Sequence, residues 1–144
     1  MNPVYQSPSL DDIRGYLQRI HHLAVVGLSP KDTRPSHRVA SAMQAVGYHI
    51  IPVRPAVEQI LGERAYATLR EIGQPVDLVN VFRAPQHVDD IVDCCIEMGY
   101  PSLWLQDGVI NEPAAVRAQQ AGLFVVMDRC IYRDYNTLIA RTDG

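Results

Sequence analysis

The sequence holds no Gly-x-Gly-x-x-Gly run, no two cysteines spaced as Cys-x-x-Cys, and no apolar stretch of membrane-spanning length. Each absence removes a class. Without the glycine-rich turn, a standard dinucleotide site lacks the close backbone approach that its pyrophosphate needs. The cysteines are Cys94, Cys95 and Cys130, odd in number with two adjacent, so no disulfide framework is expected and a reducing cytoplasm is the natural setting. Aromatic residues are only 7%, and aliphatic side chains must therefore supply most of the core. Thirteen Lys and Arg stand against sixteen Asp and Glu, a net charge of -3. That balance gives no global attraction to nucleic acid or to an anionic membrane, so any anion site must come from local clustering of cations. The opening MNPVYQSPSLDD has neither a basic n-region nor an apolar h-region and is not expected to be a secretory signal.

What is present is a chain of 144 residues, 47% hydrophobic and 20% charged, the size and balance of a single domain spanning 1–144. Short apolar runs alternate with amphipathic segments. A first helix is expected at 9–20, capped by Ser9, with Leu10, Ile13, Leu17 and Ile20 on one face. The run at 23–28 reads as a strand buried on both faces. Ser36 is expected to cap the next helix, whose face carries Val39, Ala42, Met43 and Val46 until Gly47 ends it. A second strand follows at 48–53. Residues 60–72 give a turn at Gly62 and a short helix from 67 to 72. Further strands are expected at 76–82, 102–106 and 123–127. Helices lie between them at 85–98, with Val88, Ile91, Val92 and Cys95 inward, and after Asn111, with Pro113 in the first turn. The last segment, 132–140, is expected to be a short helix or a tail.

Strands separated by helices of this length form βαβ units and a parallel sheet. The expected fold is α/β, a Rossmann-like doubly wound sheet of about five mainly parallel strands with helices on both faces. Ligands of such sheets bind at the carboxyl ends of the strands, near the switch in strand order. That rule selects Ser29, Pro30, Lys31, Arg34 and Ser36 after the first strand, and Arg54 and Pro55 after the second. It selects Phe82, Arg83 and Pro85 after the third, Gln106, Asp107 and Gly108 after the fourth, and Asp128, Arg129 and Cys130 after the fifth.

Lys31, Arg34, Arg38, Arg54 and Arg83 thus share one rim of an acidic chain, beside a helix N-terminus. Guanidinium forks and a helix start together suit phosphate. Arg54 stands where an NAD site wants a carboxylate for the ribose, and a cation there suits a phosphate on the ribose instead. NADP and coenzyme A both carry one.

The segments VVGLSPKDTRPSHRVA, YHIIPVRP, ILGERAYATLREI, PVDLVNVFRAP, LWLQDGVINEPAA and VVMDRC resemble the small single-domain CoA-binding proteins, themselves similar to the CoA-binding N-terminal domain of the succinyl-CoA synthetase α subunit. The resemblance covers roughly 20–131. It implies that coenzyme A, or a short acyl-CoA, is bound by its ADP and pyrophosphate portion. The loop Ser29 to Ser36, with Pro30 and Lys31 in it and Gly27 before it, would wrap the pyrophosphate, with Arg34 and Ser36 as direct partners and Arg38 behind them. Arg54 and Pro55 would lie on the ADP part, Phe82, Arg83 and Pro85 beside the adenine, and Gln106 where the pantetheine arm leaves. The synthetase's second domain, with its phosphohistidine, has no counterpart, so its catalytic cycle does not carry over. His37 stands where an aromatic residue is frequent in the family.

The catalytic candidates are weaker. Ser29 lacks the closing glycine of a nucleophile elbow and has no Asp and His in matching places. Cys130 sits on the rim, where it can be a small buried hydrophobe or a thiol able to exchange with that of CoA. His21, His22, His49 and His87 show no metal-binding spacing. The expected function is therefore binding of a small molecule, coenzyme A, without catalysis, metal, nucleic acid or membrane, and with protein partners open. An NADP-dependent oxidoreductase and a nucleotide-binding subunit of a larger acyl-CoA enzyme are the alternatives.

Overall fold

A computed structural model gives the fold and describes residues 3–141; the ends of the chain, 1–2 and 142–144, with the last part of the expected tail, lie outside it. Helix α1 (Leu10–Arg19) begins at Ser9, whose side chain accepts from the Asp12 N–H as expected. Ile13 and Leu17 are buried, while Leu10 lies in solvent. Then come β1 (His22–Val26), α2 (Pro35–Ala45), β2 (His49–Val53), and two short strands, β3 (Gln59–Ile60) and β4 (Glu63–Arg64). The second half holds β5 (Leu78–Val81), α3 (Val88–Met98), β6 (Ser102–Leu105), α4 (Glu112–Gln120), β7 (Phe124–Met127) and α5 (Ile131–Tyr135), the last running into a π-helical turn at Asn136–Ala140.

Five strands form one sheet in the order β2-β1-β5-β6-β7, every pair parallel. Alternation along each strand divides the core. Ala24, Val26, Val79 and Val81 pack under α3 and α4, while Leu23, Val25, Leu78 and Trp104 pack under α1, α2 and α5. With helices on both faces, the strands are mostly apolar on both sides, which is why they read as near-continuous apolar runs. No helix among the described residues is long and apolar enough to cross a membrane.

Three expectations shift. Arg34, not Ser36, is the N-cap of α2, with Pro35 in its first turn. The buried stripe of α2 is then Ser36, Ala40 and Met43, and Val46 is exposed. Residues 59–64 form an antiparallel hairpin, followed by a 3-10 turn at Leu69–Glu71 in place of a helix from 67. Beyond the hairpin, Tyr66 bridges to Val53 and so covers the free edge of β2. Pro85–His87 is a 3-10 turn leading into α3 rather than part of it.

Candidate functional site

The strand order reverses at β1. The chain leaves β1 for β2 on one side and later returns to β5 on the other, so the loops after β1 and β5 part above the sheet. The crevice between them is a cleft of about 610 Å³.

Gly27 permits it. Its φ is +83°, and a Cβ there would fall 2.5 Å from the Phe82 carbonyl oxygen. Its N–H donates to Val53 O at 3.0 Å, so the ends of β1, β2 and β5 meet at this residue.

Side chains brace the loop that follows. The Ser29 N–H donates to Ser36 Oγ at 3.0 Å, and the Lys31 N–H to Ser29 Oγ at 3.1 Å. His37 Nδ1 lies 2.9 Å from Ser29 O; a carbonyl only accepts, so Nδ1 carries the proton. Pro30 and Pro35 stiffen the same turn. His37 thus holds the loop by a polar bond. Ser36 is a brace of the loop as well as a cleft residue, and its O–H remains free to donate.

Lys31, Arg34, Arg54 and Arg83 line the cleft. None of the four is ion-paired among the described residues, whereas Arg70, Arg117, Arg129 and Arg133 all are. Arg54 Nη1 donates to Leu28 O at 3.4 Å, which leans the guanidinium across the loop. The cleft also contains one carboxylate, Asp107. Arg133 meets it with two hydrogen bonds of 2.8 Å and holds its carboxyl below the usual range. Its charge is matched and does not oppose an anion.

Gln106 forms part of the floor and is 4% exposed. Its Oε1 accepts from Asn80 Nδ2 at 3.1 Å and from the Ile131 N–H at 2.9 Å. Two donors on one atom fix the amide's orientation. Nε2 has no hydrogen-bond partner among the described residues, and no buried side-chain nitrogen or oxygen there lacks one, so Nε2 opens onto the cleft. Asn80, which positions Gln106, was not singled out from the sequence. Its signal was available: it is the one polar residue within Leu78–Val81.

Of the residues selected from sequence, the cleft brings together Gly27, Ser29, Pro30, Lys31, Arg34, Ser36, Arg54, Phe82, Arg83 and Gln106. Arg38, Pro55 and Pro85 are not in its lining. Arg38 points to solvent from α2, Pro55 lies exposed in the turn toward the hairpin, and Pro85 starts the 3-10 turn, where its carbonyl accepts from Asn111. Pro35, Val39 and Val109 join the lining, together with the rim residues Asp107 and Cys130.

The Ser29 hydroxyl accepts from a backbone N–H, and His37 binds its carbonyl, not its hydroxyl. At the opposite end of the sheet, His22 Nδ1 lies 3.0 Å from His49 Nδ1. Among the described residues, no group of three His, Cys, Asp or Glu is placed to hold a metal.

Residues 21–136 match the model of a family described as a CoA binding domain. A Bacillus subtilis (strain 168) protein, the uncharacterized protein YneT, is 43% identical over 126 residues, covering 88% of this chain and 93% of that one. A hypothetical protein from Pyrococcus horikoshii OT3 superposes with a TM-score of 0.88 at 30% identity, over 96% of this chain and 99% of the other. The dinucleotide-forming acetyl-coenzyme A synthetase 1 of Ca. Korarchaeum cryptofilum shares the fold, with a TM-score of 0.66 at 20% identity, over 76% of this chain and 26% of that one.

Proposed function

The chain belongs to the CoA-binding domain family, and on that premise we propose that the cleft between β1 and β5 holds coenzyme A, or a short acyl-CoA, by its ADP and pyrophosphate portion. In this reading the protein is a cytoplasmic binder and not an enzyme. The observation that carries the proposal is the set of four cations, Lys31, Arg34, Arg54 and Arg83, which line one cleft without carboxylate partners among the described residues, in a chain of net charge -3. Unpaired cations on one cleft repel one another, and an anion of matching size relieves that repulsion. Coenzyme A carries about four negative charges at neutral pH.

The pose follows the likeness to the synthetase α subunit. The pyrophosphate sits against the braced loop and the start of α2, whose first turn has no side-chain cap for its N–H groups. Arg54 takes the 3′-phosphate of the ribose. Phe82 and Arg83 flank the adenine. The pantetheine arm then runs past Gln106. An NADP site would need a glycine-rich turn for close backbone approach, and the prolines and serines of this loop supply side-chain contacts instead.

Calorimetric titration with CoA, dephospho-CoA, NADP and NAD tests the reading on protein stripped of co-purified ligand. CoA is expected to bind well, dephospho-CoA more weakly and NADP poorly. Arg34→Ala and Arg54→Ala should each lose about 1.5–3 kcal/mol of CoA binding, the worth of a charge-assisted hydrogen bond. The Arg54 loss should vanish with dephospho-CoA. A folded double variant that binds CoA as well as wild type sinks the proposal.

A further inference from the structure

We propose that Cys130 accepts an acyl group from an acyl-CoA held in the cleft, becoming an S-acyl cysteine as free coenzyme A leaves. The proposal rests on the CoA reading above and extends it to the sulfur end of the ligand.

The strand order sets the direction. The unpaired cations follow β2, β1 and β5, while Gln106 and Cys130 follow β6 and β7 on the other side of the same cleft. Neighbouring strands lie about 4.8 Å apart, so β1 and β7 are separated by roughly 14 Å. A ligand anchored by its phosphates at one end lays its arm across the strand ends toward the other.

The far end is built for a carbonyl beside a thiol. Val109 gives it an apolar wall, and its open polar group is Gln106 Nε2 on a side chain 4% exposed. That N–H faces the open cleft without a protein acceptor among the described residues, and the carbonyl oxygen of a ligand there can accept from it. The other end of that amide holds the Ile131 N–H, the residue next to Cys130. One side chain thus fixes both the donor and the backbone that carries the thiol. Cys130 is a free, partly exposed cysteine on the cleft wall, whereas Cys94 and Cys95 are buried in α3.

In the step itself, the Cys130 sulfur forms a bond to the thioester carbonyl carbon. The carbonyl oxygen gains charge facing Gln106 Nε2. The bond from carbon to the CoA sulfur then breaks, its electron pair stays on that sulfur, and the proton lost by Cys130 ends on it. One thioester replaces another, so no oxidant or reductant is needed and free CoA reverses the transfer.

The test is mass spectrometry of wild-type protein incubated with acetyl-CoA in a phosphine reductant, which prevents disulfides. The expected result is one acetyl group, mapped to the peptide bearing Cys130, removed by excess CoA and absent from Cys130→Ser. The acetyl thioester of a pantetheine fragment lacking ADP should label about a hundredfold more slowly at equal concentration, because it is not held in place. Gln106→Glu keeps an acceptor for Ile131 but replaces the donor, and should slow labelling at saturating acetyl-CoA about tenfold or more. If Gln106 serves an amide carbonyl of the pantetheine arm instead, that variant alters half-saturation but not the saturating rate, and its assigned role falls. Acetyl-CoA bound by calorimetry with Cys130 unmodified, or acetyl found on Cys94, Cys95 or a lysine instead, overturns the proposal and leaves the binding reading standing. Absence of any binding overturns both.

Discussion

Gly27 shows how much of the cleft depends on one residue. Its left-handed backbone and the approach of Phe82 O leave no room for a side chain. Gly27→Ala should therefore destabilise the fold by about 2 kcal/mol or more, combining left-handed strain with a contact that only a shift between β1 and β5 can relieve. Urea unfolding measures it, and an unchanged midpoint would mean the two strands do not close on each other as described. This glycine and the cations were legible because Gly27, Arg54 and Arg83 each follow an apolar run, and Lys31 and Arg34 lie in the loop after the first of them. The Asn80–Gln106 pair was not. It forms only once β5 and β6 lie in register, with Asn80 opposite Trp104; a lone polar residue in an apolar strand marks Asn80 but not its partner. Arg38 stays outside the lining for a different reason. Proline and serine compete for the start of α2, and moving the cap to Arg34 turns the helix so that Ser36, Ala40 and Met43 face inward.

Short elements depend on their ties. Helix α5 has five residues, too few to persist alone, yet it carries the far end of the cleft. Asp134 is buried and takes Arg129 Nε at 2.6 Å and Nη2 at 2.8 Å, while Trp104 Nε1 holds Arg129 O at 2.8 Å. The Asp107–Arg133 pair joins the same helix to the loop after β6, but both of its side chains are more than half exposed. The two ties should differ accordingly. Asp134→Ala, which strands a partly buried guanidinium, should cost about 1.5–3 kcal/mol. Asp107→Asn should cost less than about 1 kcal/mol. Because Arg133 lowers the Asp107 pKa, the contribution of that pair is full above the usual carboxylate range and fades as pH falls through the depressed value. Urea titrations of both variants at neutral pH give the comparison, and an Asp107→Asn loss equal to that of Asp134→Ala would contradict it. The hairpin at 59–64 was illegible at this scale. Its strands are two residues each and do not alternate, and only Gly62 marks a turn in which Leu61 is also left-handed, at φ 56°. Gln44 Nε2, donating to Leu61 O at 3.0 Å, fastens that turn to α2.

At the scale of the whole molecule, a sheet covered on both faces makes two half-cores, and it treats the three cysteines differently. The parallel class was readable from its apolar runs, and the helices from their spacing. The order β2-β1-β5-β6-β7, which decides which loops meet, arises from the crossovers and is written in no single segment. Cys94 and Cys95 point into the half-core under α3 and α4, whereas Cys130 stands at the cleft. Burial pushes the Cys95 thiol up to about 12 and raises that of Cys94 as well. A folded sample should therefore react with a thiol reagent at one cysteine, and an unfolded sample at three. The same burial sets an alkaline limit. A thiol whose folded pKa exceeds its unfolded value stays protonated in the native state while the unfolded chain sheds its proton. The stability it supports is full below the ordinary thiol pKa of about 8.5 and falls as pH rises from there toward the folded value. Replacing Cys95 with Ala, at some cost in packing, removes this titration, so the variant should lose less stability than wild type between pH 8 and 11. Equal alkaline losses in the two proteins, or native reaction of all three thiols at similar rates, would mean that α3 does not seal its half of the core.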